Sequence, residues 1–119
     1  MIKDLYDALI ACKYDVSLLP QEKRPDRKMV FRLADIDIEV SDSNLYTMPV
    51  YVELEWNDTK PLEIPTYIKT LCQEVEEYLY DHSVLKRGSF QWQGPKIEPK
   101  GGSQYNIILR AMYLEEIQV

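Results

Sequence analysis

The chain has 119 residues, 45% hydrophobic and 29% charged, enough for one domain with a sizeable buried core. Fourteen basic against twenty acidic side chains leave a net charge of −6, which argues against a general nucleic-acid binder, whose footprint is basic. No apolar run approaches the roughly eighteen residues of a membrane span, and Asp4 interrupts any apolar signal-peptide region near Met1.

Ile2, Leu5, Tyr6, Leu9 and Ile10 form one helical stripe, with Asp4 and Asp7 in the early turns that favour acids, so residues 2–13 read as a helix. Tyr14 to Leu19 reads as a short strand closed by Pro20. The segment Gln21 to Lys28 is a charged loop with Lys23, Arg24, Arg27 and Lys28, too polar for a core. From there the period becomes two. Ala34, Ile36, Ile38 and Val40 alternate with Asp35, Asp37 and Glu39, whereas Met29, Phe31 and Leu33 lie on the opposite parity, which calls for a bulge or break near Ala34.

After turn chemistry at Ser41 to Asn44, a strand carries Tyr46, Met48, Val50, Val52, Leu54 and Trp56 on one face and Tyr51, Glu53 and Glu55 on the other. Pro49 cannot donate to a ladder and should lie near an edge. Asn57 to Pro61 ends the strand. Ile64, Ile68, Leu71, Val75 and Tyr78/Leu79 then repeat at gaps of four and three, predicting a helix over Ile64–Asp81 with Pro65 in its first turn. Five such side chains supply about 7–15 kcal/mol of gross burial, far more apolar surface than a free helix could carry, so it must lie on a sheet.

Val84 to Trp92 reads as a strand, interrupted by Gly88 and fading into Gly94–Pro95, and Pro99 to Gly102 is a turn. The last strand runs from Gln104 to about Glu115. Its two apolar faces suggest a central strand, or one whose second face meets another subunit. The expected fold is α+β: an antiparallel sheet of four to five strands with two helices packed on one face, in the order α-(β)-β-β-α-β-β.

Chemistry is sparse in this pattern. His82 follows the long helix, where capping is its ordinary role, and no second histidine could serve a nucleophilic triad. The four glycines form no phosphate cradle, and no metal-ligand spacing occurs. No catalytic residue, cofactor or metal is expected. Cys12 and Cys72 sit beside apolar neighbours and read as reduced, buried thiols in a reducing compartment. Asp35, Asp37, Glu39, Glu53 and Glu55 would share a face of two neighbouring strands and repel one another. That face can be a solvated surface, a wall facing DNA or a basic partner, or a divalent-metal nuclease site tested by Asp37→Asn. Trp56, Trp92 and nine tyrosines suit a core, with Tyr51, Tyr80 and Tyr113 as candidate interface anchors.

The helix, the hairpin ending in Val52-Glu53-Leu54-Glu55-Trp56, the amphipathic helix Ile68 to Leu79, and the closing Tyr105-Asn106-Ile107-Ile108-Leu109-Arg110 together resemble the bacteriophage tail terminator and tail-completion proteins of the head–tail neck. The likeness lies in element order and strand texture over nearly the whole chain. It shades into other neck and tail-tube proteins. It implies a structural virion protein, assembled in the bacterial host cytoplasm. A homohexameric ring at the head-proximal end of the tail tube would stop tube growth and join the tail to the head connector protein. DNA would pass through without specific binding, the five acids would repel it from the wall, and the loop cations Lys23, Arg24, Arg27 and Lys28 would contact a neighbour. The alternative from another class is a small acidic inhibitor, anti-restriction or immunity-type, that binds a basic enzyme.

Overall fold

The computed structural model describes residues 2–18, 26–34, 45–82 and 90–118. In chain order the elements are α1 (Ile2–Ala11), β1 (Val16–Ser17), β2 (Met29–Leu33), β3 (Leu45–Asp58), α2 (Ile64–His82), β4 (Phe90–Gly101) and β5 (Gln104–Gln118). The strands form one five-stranded sheet in the order β1-β2-β3-β5-β4, an α+β architecture.

Helix α1 is shorter than the apolar stripe suggested because Lys13 takes a left-handed conformation, φ 66°. The Lys13 N–H then donates to Ile10 O at 3.0 Å and the Tyr14 N–H to Leu9 O at 3.0 Å. This pair of bonds is a Schellman stop, built on a lysine where glycine is usual. Cys12 consequently lies in the turn and not within a helix. Helix α2 buries Ile64, Ile68, Leu71, Val75 and Leu79, the side chains its period predicts.

One apolar face of the sheet supplies Val50, Val52, Leu54 and Trp56 of β3, opposite Tyr113, Ala111, Leu109 and Ile107 of β5. These join Leu5, Ala8 and Leu9 of α1 and the buried stripe of α2 in a single core cluster. The register is held by period: a slip of one residue would turn Glu53 and Glu55 into the core.

Three expectations need correction. The sheet is mixed and not wholly antiparallel, because β1 pairs parallel to β2, Val16 opposite Met29 and Ser17 opposite Val30. Second, β4 does not fade at Gly94–Pro95 but runs to Gly101, and residues 84–89 lie outside the described set. A bulge sets Gly94 and Pro95 between the pairs Gln93↔Arg110 and Lys96↔Ile108. Gly94 takes φ 96°, and an edge strand with a bulge tolerates a proline that lacks an N–H. Third, the hairpin turn is Gly102–Ser103, and β5 extends to Gln118.

Strand β5 is central, between β3 and β4. Pro49 lies in β3 opposite Leu114. The described pairing of β3 with β2 stops short of it, at Leu33↔Val52 and the Ala34 N–H to Tyr51 O bond of 2.8 Å. The alternating segment from Asp35 to Val40, and any bulge that reverses its parity, lie outside the described residues.

Candidate functional site

The second face of the sheet carries Glu53 and Glu55, two of the five acids singled out by sequence. Arg32 of β2 stands opposite Glu53 of β3, which stands opposite Arg110 of β5, so three charges of alternating sign cross three adjacent strands in register. Arg32 donates from Nε to Glu53 Oε2 at 3.0 Å and from Nη1 to Glu55 Oε1 at 2.9 Å. Arg110 donates from Nη2 to Glu53 Oε1 at 2.6 Å, and Asn106 from Nδ2 to Glu55 Oε2 at 3.2 Å. The Arg110 hydrogen bond, reinforced by Arg32, holds the Glu53 carboxyl below its ordinary value. Arg110 also lies over the Tyr51 ring, 5.6 Å from its centroid.

For Glu53 and Glu55 the arrangement answers the expected repulsion between carboxylates on one sheet face. Glu53 and Glu55 are each charge-matched by an arginine, two cations against two anions, so neither is a bare negative group. Asp35, Asp37 and Glu39 lie outside the described residues. The signal for Arg32 and Arg110 was only partial: each takes the parity opposite the core residues of its strand, Phe31 in β2 and Leu109 and Ala111 in β5, but Val30, Ile108 and Met112 share that parity and hide it. Their partners depend on register between strands, which a single sequence does not state.

A second polar centre joins the charged loop to the start of α2. Asp58 is fully buried at the end of β3. Its Oδ2 accepts from Arg27 Nε at 2.9 Å, and its Oδ1 accepts the Lys60 N–H at 2.8 Å, an Asx-type turn that leads the chain toward the helix. The Arg27 guanidinium lies 4.3 Å from the centroid of the Tyr67 ring, and its Nη2 is 3.6 Å from Glu63 Oε1. The Arg27 N–H donates to Asn57 O at 2.8 Å, with Arg27 at φ 60°. Thr59 donates its hydroxyl to Asp26 Oδ2 beside this centre. Burial pushes the Tyr67 phenol up to about 12. Arg27 is thus a bracket between loop, strand and helix. Lys28 beside it is half-buried, and Lys23 and Arg24 lie outside the described residues.

Both thiols are held above their ordinary value. Burial, with Glu76 nearby, pushes the Cys72 thiol up to about 11, and burial with Glu74 raises Cys12. A thiol so raised stays protonated at neutral pH, the opposite of an activated nucleophile. Both cysteines are free, and Cys12 Sγ lies 3.7 Å from Glu74 O. His82 Nδ1 is 3.1 Å from Tyr78 O in the last turn of α2, with its ring stacked on Tyr78 at 4.1 Å. This is the helix-end placement that sequence suggested. Among the described residues no His, Cys, Asp and Glu side chains are grouped to hold a metal ion, and no helix is long and apolar enough to cross a membrane. Of the tyrosines weighed as interface anchors, Tyr113 is buried in the core, while Tyr51 and Tyr80 are half-buried.

The chain matches no known family model, and no curated protein matches its sequence.

Proposed function

We propose that this chain is a structural ring subunit of the bacteriophage neck. In this reading it acts as a tail terminator does, closing the end of a tail tube and offering a surface to the head connector. The observation that carries the reading is the β3–β5 ribbon. Its fourteen residue pairs extend about 45 Å at about 3.4 Å per residue, whereas the nineteen residues of α2 cover about 28 Å at about 1.5 Å per residue. The ribbon therefore outruns the longer helix, and the molecule measures 53 × 28 × 23 Å. A long ribbon within a two-faced sheet suits a subunit that works by docking to its neighbours.

The arginine pairing of Glu53 and Glu55 alters one part of this reading. These two acids alone make a poor DNA-repelling wall, so that role falls on Asp35, Asp37 and Glu39. The same pairing weakens the acidic-inhibitor reading, because a nucleic-acid mimic needs uncompensated carboxylates. The subunit would work in the virion at the tail–head junction after assembly in the host cytoplasm.

Light-scattering mass and negative-stain electron microscopy, with the protein alone and with polymerising tail-tube protein, test the proposal. A six-fold ring that shortens or caps tubes is the expected result. A protein that stays monomeric under both conditions, and leaves tube length unchanged, would sink it.

A further inference from the structure

We propose that copies of the chain join head to tail, the acidic outer ridge of α2 in one copy seating on the arginine-fronted outer face of the sheet in the next. The inference rests on the ring reading and supplies the two unlike patches that a closed heterologous interface requires.

The ladder of Arg32, Arg110, Glu53 and Glu55 is balanced in number of charges but not in what it presents. Arg32 and Arg110 are each 39% exposed, while Glu53 and Glu55 beneath them are 15% and 18% exposed. The carboxylates anchor the guanidinium groups from below and leave their outer edges toward solvent. Lys96 and Lys100 of β4, both exposed and both paired with Glu98, extend the cationic front. Beside Arg110 a shallow depression is lined by Gln93, Gly94, Lys96 and Ile108. Half-buried Tyr51 and Met112 add apolar area to the same face.

Among the described residues, a row of acids lies elsewhere. On α2, Glu74, Glu77 and Asp81 recur at gaps of three and four, which puts them along one side of the helix, where like charges repel. They line a groove with Tyr78 and His82. An arginine-fronted partner relieves that repulsion, and Tyr78 can meet the apolar part of the sheet face.

Charge complementarity favours a second copy over nucleic acid as the occupant. Among the described side chains the sheet face holds four cations, Arg32, Lys96, Lys100 and Arg110, against three acids, Glu53, Glu55 and Glu98. A net of about one positive charge is too small to hold a continuous polyanion. Three carboxylates spaced along a helix match a few separate cations, and Arg32, Arg110, Lys96 and Lys100 are each more exposed than the acids they pair with.

Two exposed charge reversals provide the test: Glu77→Lys/Asp81→Lys on the ridge, and Lys96→Glu/Lys100→Glu on the sheet. Each variant alone should lose the ring mass seen for the wild type in native mass spectrometry. An equimolar mixture should regain it, because every interface between alternating variants is then matched. Asp7→Lys on α1 is the control for net charge and should leave the ring intact. Circular dichroism melts check folding, and the milder Glu77→Gln and Lys96→Gln, which should weaken assembly in the same direction, stand in for a variant that fails to fold. Variants that assemble like wild type, or folded variants whose mixture stays monomeric, overturn this interface and leave the ring reading standing. A wild type that never assembles, alone or with tail tube, removes both.

Discussion

Arg27 donates its Nε–H to the buried carboxylate of Asp58 at 2.9 Å across a sequence separation of 31 residues. The Arg27 side chain is 26% exposed and that of Asp58 only 1%. The pair ties the segment before β2 to the end of β3, and through Tyr67 to α2. Its two members are not equivalent, because removing one strands a charge that keeps some water and removing the other strands a charge that has none.

Arg27→Ala should therefore cost more than Asp58→Ala. Leaving the Asp58 carboxylate buried and unpaired should destabilise by about 3 kcal/mol or more, whereas Asp58→Ala should cost about 2 kcal/mol, since Arg27 can turn toward solvent. Arg27→Lys should recover only part of the loss, because an ammonium lacks the planar fork that bonds Asp58 while lying on the Tyr67 ring. Urea unfolding of the three variants gives the ranking, and a larger loss in Asp58→Ala would contradict the burial asymmetry.

Leu71 and Leu62 form a second contrast, between an α2 stripe residue that is fully buried and a leucine before the helix that is 95% exposed. Leu71→Ala should cost about 2–5 kcal/mol through lost burial and a residual cavity. Leu62→Ala should change stability by less than about 0.5 kcal/mol. Thermal unfolding of the two variants side by side provides the measurement.

These two cases also mark how far the sequence could be read. The stripe from Ile64 to Leu79 and the alternation from Val50 to Trp56 are visible because burial repeats at the period of the backbone, so the core of α2 and β3 follows from spacing. Asp58 continues the alternation of β3, buried two positions after Trp56, but an acid beside Asn57 and Thr59 reads as turn chemistry, and the arginine that makes its burial tolerable lies 31 residues away. The two residues of β1 are too few to show a period, so their parallel pairing was not visible. Gly94–Pro95 reads as the end of a strand because a bulge and a break use the same residues. Arg32 and Arg110 lay on the correct face, but their bonds to Glu53 required the register between strands.

Lys13 closes α1 in a conformation that costs an L-residue about 1–2 kcal/mol. Glycine there escapes the strain but loses about 0.5–1 kcal/mol through its freer unfolded chain. Lys13→Gly should thus raise stability by about 0.5–1 kcal/mol, while Lys13→Ala, which keeps the strain, should change little. A chemical-denaturation midpoint that shifts upward for Gly and not for Ala checks the Schellman stop.

The Glu53 ladder makes stability depend on acid in a predictable sense. The Arg110 hydrogen bond, followed by that of Arg32, lowers the folded-state value of the Glu53 carboxyl beneath the ordinary 4.5. A group lowered on folding binds its proton more readily in the unfolded chain, so its contribution is fully present above 4.5 and is lost as pH falls through the folded value. Unfolding free energies of wild type and Glu53→Gln, followed from neutral pH down through that window, should therefore converge. The variant starts lower, because its neutral amide cannot match two guanidinium groups, and it should fall less steeply in acid. Arg110→Gln should also flatten the acid limb, since it removes the largest cause of the shift. If Glu53→Gln instead runs parallel to wild type through the whole acid limb, the carboxylate between Arg32 and Arg110 contributes nothing to holding β2, β3 and β5 in register.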